Sequence, residues 1–206
     1  MSLAVPSGGR VLPDIGKQYD EIADWWNDYH QNSDYGVAAL ERALRIAGSS
    51  KLVLDVGCGA GGRLIRKFEA QKYHITGIDA SPRMIELARQ NHRHLSFICA
   101  DIIGWQPEGL YDFILAWDSL FHLPLEQQEP VLSKLCKAMK SGGVLLYSFG
   151  DAEGSHSDEW RRQIFHYSSL GVTRNLEILH EHGMRLRHLE LDQYPEKHAY
   201  IIAQKN

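Results

Sequence analysis

A doubly wound α/β sheet, mostly parallel and covered by helices on both faces, is the fold this 206-residue sequence predicts. Three observations predict it. Lys51 to Gly62 reads Lys-Leu-Val-Leu-Asp-Val-Gly-Cys-Gly-Ala-Gly-Gly, a continuous apolar run into spaced glycines, as expected of a buried parallel strand that feeds a tight turn and a helix. Short apolar runs then alternate with helical spacings as far as Phe149. Three of those runs end in a carboxylate, Asp55, Asp79 and Asp101, which puts three acids at the carboxyl edge where open α/β sheets bind ligands.

Taken in order, residues 1 to 16, with Pro6, Gly8, Gly9, Pro13 and Gly16, form an irregular lead-in. Tyr19, Ile22, Ala23, Trp25, Trp26 and Tyr29 have helical spacing, so Lys17 to Tyr29 is an aromatic-rich helix. Val37 to Ala47 is a second helix, stopped by Gly48. After the first strand the glycines supply positive φ or close backbone approach, and Leu64, Ile65 and Phe68 mark the helix that follows. Tyr73 to Ile78 is the second strand; Ser81 caps and Pro82 opens a helix over Arg83 to Asn91. Leu95 to Ala100 and Tyr111 to Trp117 are strands three and four. Glu126 to Lys140 is a helix ended by Ser141-Gly142-Gly143, before strand Val144 to Phe149. Gly150 to Gly171 lacks a regular pattern, and its length and aromatics mark it as functional. Thr173 caps a helix to His182, and Met184 to Leu191 pairs with His198 to Ala203 in a hairpin around Tyr194-Pro195.

Gly57, Gly59 and Gly62 satisfy the spacing of a dinucleotide-binding turn, and Asp79 stands 22 residues after Gly57, where such units place the acceptor for ribose hydroxyls. Asp55 argues against a pyrophosphate, because a carboxylate two residues before the first glycine repels an anion and attracts a cation. Leu54-Asp55-Val56-Gly57-Cys58-Gly59-Ala60-Gly61 resembles the first motif of the class I S-adenosylmethionine-dependent methyltransferases, whose sulfonium cofactor has that sign. Lys140-Ser141-Gly142-Gly143-Val144-Leu145-Leu146 resembles the same family's helix-to-strand joint, and the order of signals agrees from Tyr19 to the C-terminus.

The resemblance implies a Rossmann-like seven-stranded sheet with an antiparallel last strand. It implies a single methyltransferase domain over 1–206: a helical cap (1–48), a cofactor-binding core (49–150), a lid-like insertion (151–172) and a C-terminal helix and hairpin (173–206). Cofactor contacts would come from Tyr19, Asp55, Gly57, Cys58, Gly59, Asp79, Ala80, Asp101, Ile102 and Trp117, with Asp101 accepting from the adenine amino group. Met84 lies either along the adenine face or in the core.

Methyl transfer from a sulfonium is an in-line displacement that positioning alone can accelerate, so a general base is optional. His122, in the loop after the fourth strand, is the candidate base, with His156, His166 and Tyr167 as alternatives on the insertion. Trp25, Trp26 and Tyr29 on one side, with His156, Trp160, Phe165 and Tyr167 on the other, suit a water-poor pocket for a small-molecule methyl acceptor. No metal is expected: His180 and His182 are two apart on a helix, His92 and His94 lack a third ligand, and Asp118 has no partner acids. Two rival readings stay open, a nicotinamide-dependent oxidoreductase and a non-catalytic S-adenosylmethionine-binding module.

The formal charge of −4 gives no general attraction to nucleic acid or to an anionic membrane, and no apolar run reaches the ~20 residues of a membrane span. Cys58, Cys99 and Cys136 are odd in number, lie in apolar surroundings and show no paired spacing, which suits a reducing cytoplasm. Composition does not fix the oligomeric state.

Overall fold

The computed structural model describes residues 14–49 and 51–206. Of the expected lead-in of residues 1 to 16, residues 1 to 13 lie outside the described residues, and Ile15 and Gly16 prove to be helical, in the first turn of Ile15–His30. Seven strands form one sheet in the order β3-β2-β1-β4-β5-β9-β8. Strands β1 (Leu52–Val56), β2 (His74–Asp79), β3 (Ser96–Cys99), β4 (Tyr111–Ala116) and β5 (Met139–Gly150) run parallel. Strand β9 (His198–Lys205) lies antiparallel between β5 and β8 (Met184–Leu191). The strand order reverses between β1 and β4, which opens a crevice at their carboxyl ends.

Helices α1 (Ile15–His30), α2 (Val37–Leu44), α3 (Arg63–Ala70), α4 (Pro82–Asn91), α5 (Leu125–Lys137) and α6 (Gly171–Glu181) account for the unbroken apolar strands. Side chains alternate along a strand, so a sheet covered on both faces needs apolar residues at every position. Val53, Phe113, Leu115, Leu146 and Ile202 face one core with Phe68 and Leu40; Leu54, Ile114, Leu145 and Ile201 face the other with Leu132, Leu135 and Ile178. Each fully buried side chain of this size contributes roughly 1.5–3 kcal/mol, so both layers are needed to hold the sheet.

Local signals fix the ends of two helices near the crevice. Asp14 caps α1 by accepting from the Lys17 amide, and Ser81 Oγ accepts from the Met84 amide at 3.0 Å, with Pro82 at the first helical position as the sequence predicts. Four expectations are corrected. Gly150 to Gly171 is not irregular: β6 (Glu153–Trp160) and β7 (Gln163–Leu170) form a separate antiparallel hairpin. Its turn residues Arg161 and Arg162 both hold positive φ, 51° and 64°, a conformation usually announced by Asn-Gly. Thr173 is not a cap, since α6 begins at Gly171 without a side-chain cap. Helix α5 ends at Lys137, and Met139 to Gly143 belong to β5, with a register shift against β4 between Tyr111 and Phe113. Cys99 is exposed, whereas Cys58 and Cys136 are buried, and burial pushes the Cys136 thiol up to about 12.

Candidate active site

The crevice is a cavity with one wall from the strand ends and turns of Gly57–Ala60, Asp79–Ala80, Ala100–Ile102 and Trp117–Ser119. Tyr19, Trp26 and His30 of α1 cover it. Gly57, Gly59 and Gly61 all take positive φ, so the chain turns sharply between β1 and α3. A Cβ on Gly57 would sit 2.3 Å from Ser119 Cβ, so this turn can approach the loop after β4 only as glycine.

Asp79 ties the turn to the next helix. Its Oδ2 accepts from the Gly59 amide and its Oδ1 from the Ser81 amide, both at 2.9 Å. Burial pushes its carboxyl above the usual range, and these amide bonds oppose the shift. Each carboxylate oxygen has two lone pairs, which leaves capacity for ligand hydroxyls. Asp101 stands at the cavity wall beside Ile102 and accepts from the Ile103 amide at 2.8 Å. Met84 meets both expectations at once: it is buried with Ala23, Ala60 and Leu87, and it also lines the cavity.

Asp55 is 4% exposed and lines the cavity, and its carboxylate accepts no hydrogen bond from the described residues. Burial and then the charge of Asp79 push its carboxyl up to about 7, and Arg63 opposes them. A nearly buried, unpartnered carboxylate is costly unless a cationic ligand meets it. Arg63 donates to the Tyr35 carbonyl and, at 3.1 Å, to His30 Nδ1, and it makes no ion pair among the described residues. Burial, and after it Arg63, lower the pKa of His30 to about 4. The cavity thus combines an acceptor for a cation with a guanidinium for an anion, which fits the amino and carboxylate ends of an amino-acid moiety.

His122 sits between two partners. A carbonyl can only accept, so the 3.1 Å contact with the His166 carbonyl places the proton on Nδ1, and Nε2 accepts from the Tyr19 hydroxyl at 2.9 Å. Burial lowers its pKa to about 4, so the ring is neutral. Phe165, 1% exposed, packs on Tyr19 with centroids 5.2 Å apart, and the Gln18 amide donates to the Ile164 carbonyl. The β6–β7 hairpin is thereby held to α1.

Trp26 lines the cavity, but Trp25 does not: it stacks on Tyr29 at 4.8 Å and meets Trp160 at 5.2 Å, with the Arg161 guanidinium 3.3 Å above its ring. His156 and Tyr167 also lie off the cavity lining, stacked on each other at 5.2 Å, with His156 paired to Asp158. No cluster of His, Cys, Asp or Glu suited to a metal occurs among the described residues.

One assembly has no counterpart in the sequence pattern. Asp118, at φ 52°, joins Tyr35, Ser148, Asp192 and His198 on the β4–β5 side of the cavity. The five come from segments up to 163 residues apart, so no sequence spacing signals them. A lone aspartate after a strand is the only available hint.

Residues 53–143 match the family described as "Methyltransferase domain". The "Ubiquinone biosynthesis O-methyltransferase" of Coxiella burnetii is 27% identical over 199 residues, covering 89% of this chain and 79% of that protein. The "Trans-aconitate 2-methyltransferase" of an Escherichia coli strain is 39% identical over 133 residues, covering 61% of this chain and 51% of that protein. Among solved structures, the N-methyltransferase NodS from Bradyrhizobium japonicum, in complex with S-adenosylhomocysteine, superposes with a TM-score of 0.68 at 19% identity, covering 94% and 99% of the two chains. Over residues 53–143 the chain is similar to this methyltransferase domain family, and its fold is shared with S-adenosylmethionine-dependent methyltransferases.

Proposed function

We propose that this protein is a methyltransferase that acts on a small-molecule acceptor enclosed beneath α1 and the β6–β7 hairpin, with S-adenosylmethionine along the ends of β1, β2 and β3. The observation that carries the reading is Asp55, a carboxylate held nearly out of water with no protein partner at the turn that only glycine can form. When bound, S-adenosylmethionine supplies an electrophilic methyl group on a positive sulfur. Asp55 attracts the cationic end of its amino-acid moiety, Arg63 receives the carboxylate, and Gly57, Cys58 and Gly59 allow close backbone approach. Asp79 accepts from the ribose hydroxyls; Asp101 accepts from the adenine amino group and the Ile102 amide donates to the ring. Ala80, Met84 and Trp117 supply apolar walls.

Tyr19 and Trp26 exclude water from above. Holding two reactants in contact in a dry pocket can supply ~7–11 kcal/mol of the barrier, so these residues do most of what the reaction needs. Since its lone pair already accepts from Tyr19, His122 is assigned to positioning Tyr19 and the hairpin. The formal charge of −4 disfavours a polynucleotide acceptor, and no helix among the described residues is long and apolar enough to cross a membrane. Three free cysteines agree with a cytoplasmic protein.

The test is a thermal shift and calorimetric titration with S-adenosylhomocysteine against NAD. A ligand that binds only the native state raises the melting temperature, and a shift with S-adenosylhomocysteine alone is expected. Preference for NAD would overturn the assignment of Asp55 and Arg63.

A further inference from the structure

On the β4–β5 side of the cavity, the C-terminal hairpin reaches the loop after β4. Strand β9 opens with His198, whose Nε2 lies 3.0 Å from Asp118 Oδ1 and whose Nδ1 meets Asp192 Oδ1. Both ring nitrogens face carboxylate oxygens that can only accept, so both carry protons and the ring is an imidazolium. Burial opposes that charge, yet the two carboxylates prevail and the pKa of His198 is raised. Ser148 Oγ donates to the same Asp118 oxygen at 3.1 Å, the Tyr35 hydroxyl lies 3.4 Å from it, and Asp118 N donates to Ser148 Oγ at 2.8 Å. Asp118 also holds φ 52°, a left-handed conformation sparsely used outside glycine and found disproportionately at functional sites.

One oxygen of Asp118 is therefore fixed by three partners. Its Oδ2 accepts nothing from the described residues, although the residue lines the cavity. Next to it, Ser119 Oγ and Trp117 Nε1 are buried without partners among the described residues. Asp118 Oδ2 is thus a carboxylate oxygen left uncommitted on a residue that lines the cavity, which makes it a receiving group for a polar ligand, since carboxylate oxygens held this far from water are normally paired.

We propose that Asp118 is the acceptor-contacting carboxylate, that it selects a nucleophile bearing a proton, a hydroxyl or an amine, over a carboxylate, and that His198 with Asp192 positions it. The acceptor O–H or N–H donates to Oδ2. As the acceptor atom forms its bond to the methyl carbon, the sulfur keeps the electron pair of the bond that breaks and the acceptor proton passes to Oδ2. The imidazolium on Oδ1 fixes the carboxyl plane and leaves Oδ2 turned to the acceptor as the oxygen that takes that proton. A carboxylate acceptor would face a like charge in a site of low dielectric and be repelled.

The proposal rests on the methyl-transfer reading, so S-adenosylhomocysteine affinity is measured first and separates failure of one from failure of the other. Asparagine tolerates left-handed φ as aspartate does, so Asp118→Asn retains the backbone. Phenol, catechol, aniline and benzylamine are offered with S-adenosylmethionine, beside benzoate and trans-aconitate. Expected are methylated products from at least one hydroxyl or amine, and a kcat reduced at least 100-fold in Asp118→Asn with S-adenosylhomocysteine affinity unchanged. Binding of the accepted probe to the S-adenosylhomocysteine complex should weaken about 10- to 100-fold in Asp118→Asn, the loss of a hydrogen bond to a charged group. In His198→Gln, KM should rise with a smaller fall in kcat, and nitrogen NMR of the wild type should show a histidine protonated on both nitrogens whose signal His198→Gln removes. Products from carboxylates only, no product from any hydroxyl or amine, or unchanged kcat and probe binding in Asp118→Asn would each overturn the proposal.

Discussion

The two halves of the cavity are built in different ways. Toward β1, β2 and β3, backbone groups do most of the shaping: three positive-φ glycines, amides that hold Asp79, and carboxylates one per strand end. Toward β4 and β5 the lining residue Asp118 is held from behind by a side-chain assembly, Tyr35, Ser148 and His198 with Asp192, so that five separate segments meet there. A half made of backbone suits a ligand that never changes. A half held by side chains can be re-specified by substitutions that leave the sheet alone, and the proposed acceptor contact lies on that side.

The largest effect expected from breaking this contrast is Gly57→Val. It forces a Cβ to 2.3 Å from Ser119 and a β-branched residue to φ 73°, so calorimetry should detect no S-adenosylhomocysteine binding and the melt should show a loss of ~2 kcal/mol or more. Next is Asp79→Ala, expected to weaken the same affinity by ~1–3 kcal/mol while the fold survives; an unchanged dissociation constant would mean that the ribose is held elsewhere.

The pH dependence of Asp55 is third. Its folded pKa, raised to about 7, exceeds the unfolded value, so the native state binds more protons between the two, and stability of the unliganded protein falls as pH rises from about 4 to about 7. The ionised form is the one that attracts an ammonium, so affinity for S-adenosylhomocysteine should rise several-fold from pH 6 to pH 8. Asp55→Asn should flatten both trends in melting and titration series. The smallest effect is Tyr19→Phe, which removes one hydrogen bond to His122 at a cost of ~0.5–1.5 kcal/mol and should raise hydrogen exchange in β7 while leaving β1 protected.

Legibility followed the same division. The strand at Leu52–Val56, the glycine turn, Asp79 and the Ser81 cap are local patterns, so neighbouring residues suffice to place them. The β6–β7 hairpin escapes sequence reasoning because all eight β6 residues are exposed, which leaves no alternation to read, and because two arginines make its turn. His198 and Asp118 lie 80 residues apart and meet only through the pairing of β9 with β5, so spacing contains nothing of their partnership. The aromatics of α1 and the hairpin are legible as a group, but which ring faces the cavity is not: Trp26 lines it while the adjacent Trp25 turns toward Arg161.

That Trp25–Arg161 stack has a kinetic side. It joins the hairpin tip to α1, and it must part, together with the Tyr19–Phe165 and Gln18–Ile164 contacts, whenever the hairpin lifts from that helix. A cation on a ring is a contact of order 1 kcal/mol, the kind that can break and re-form on the microsecond-to-millisecond scale of loop motions. Any step that needs the hairpin to lift would then be paced by the parting of these contacts and not by the chemistry beneath them.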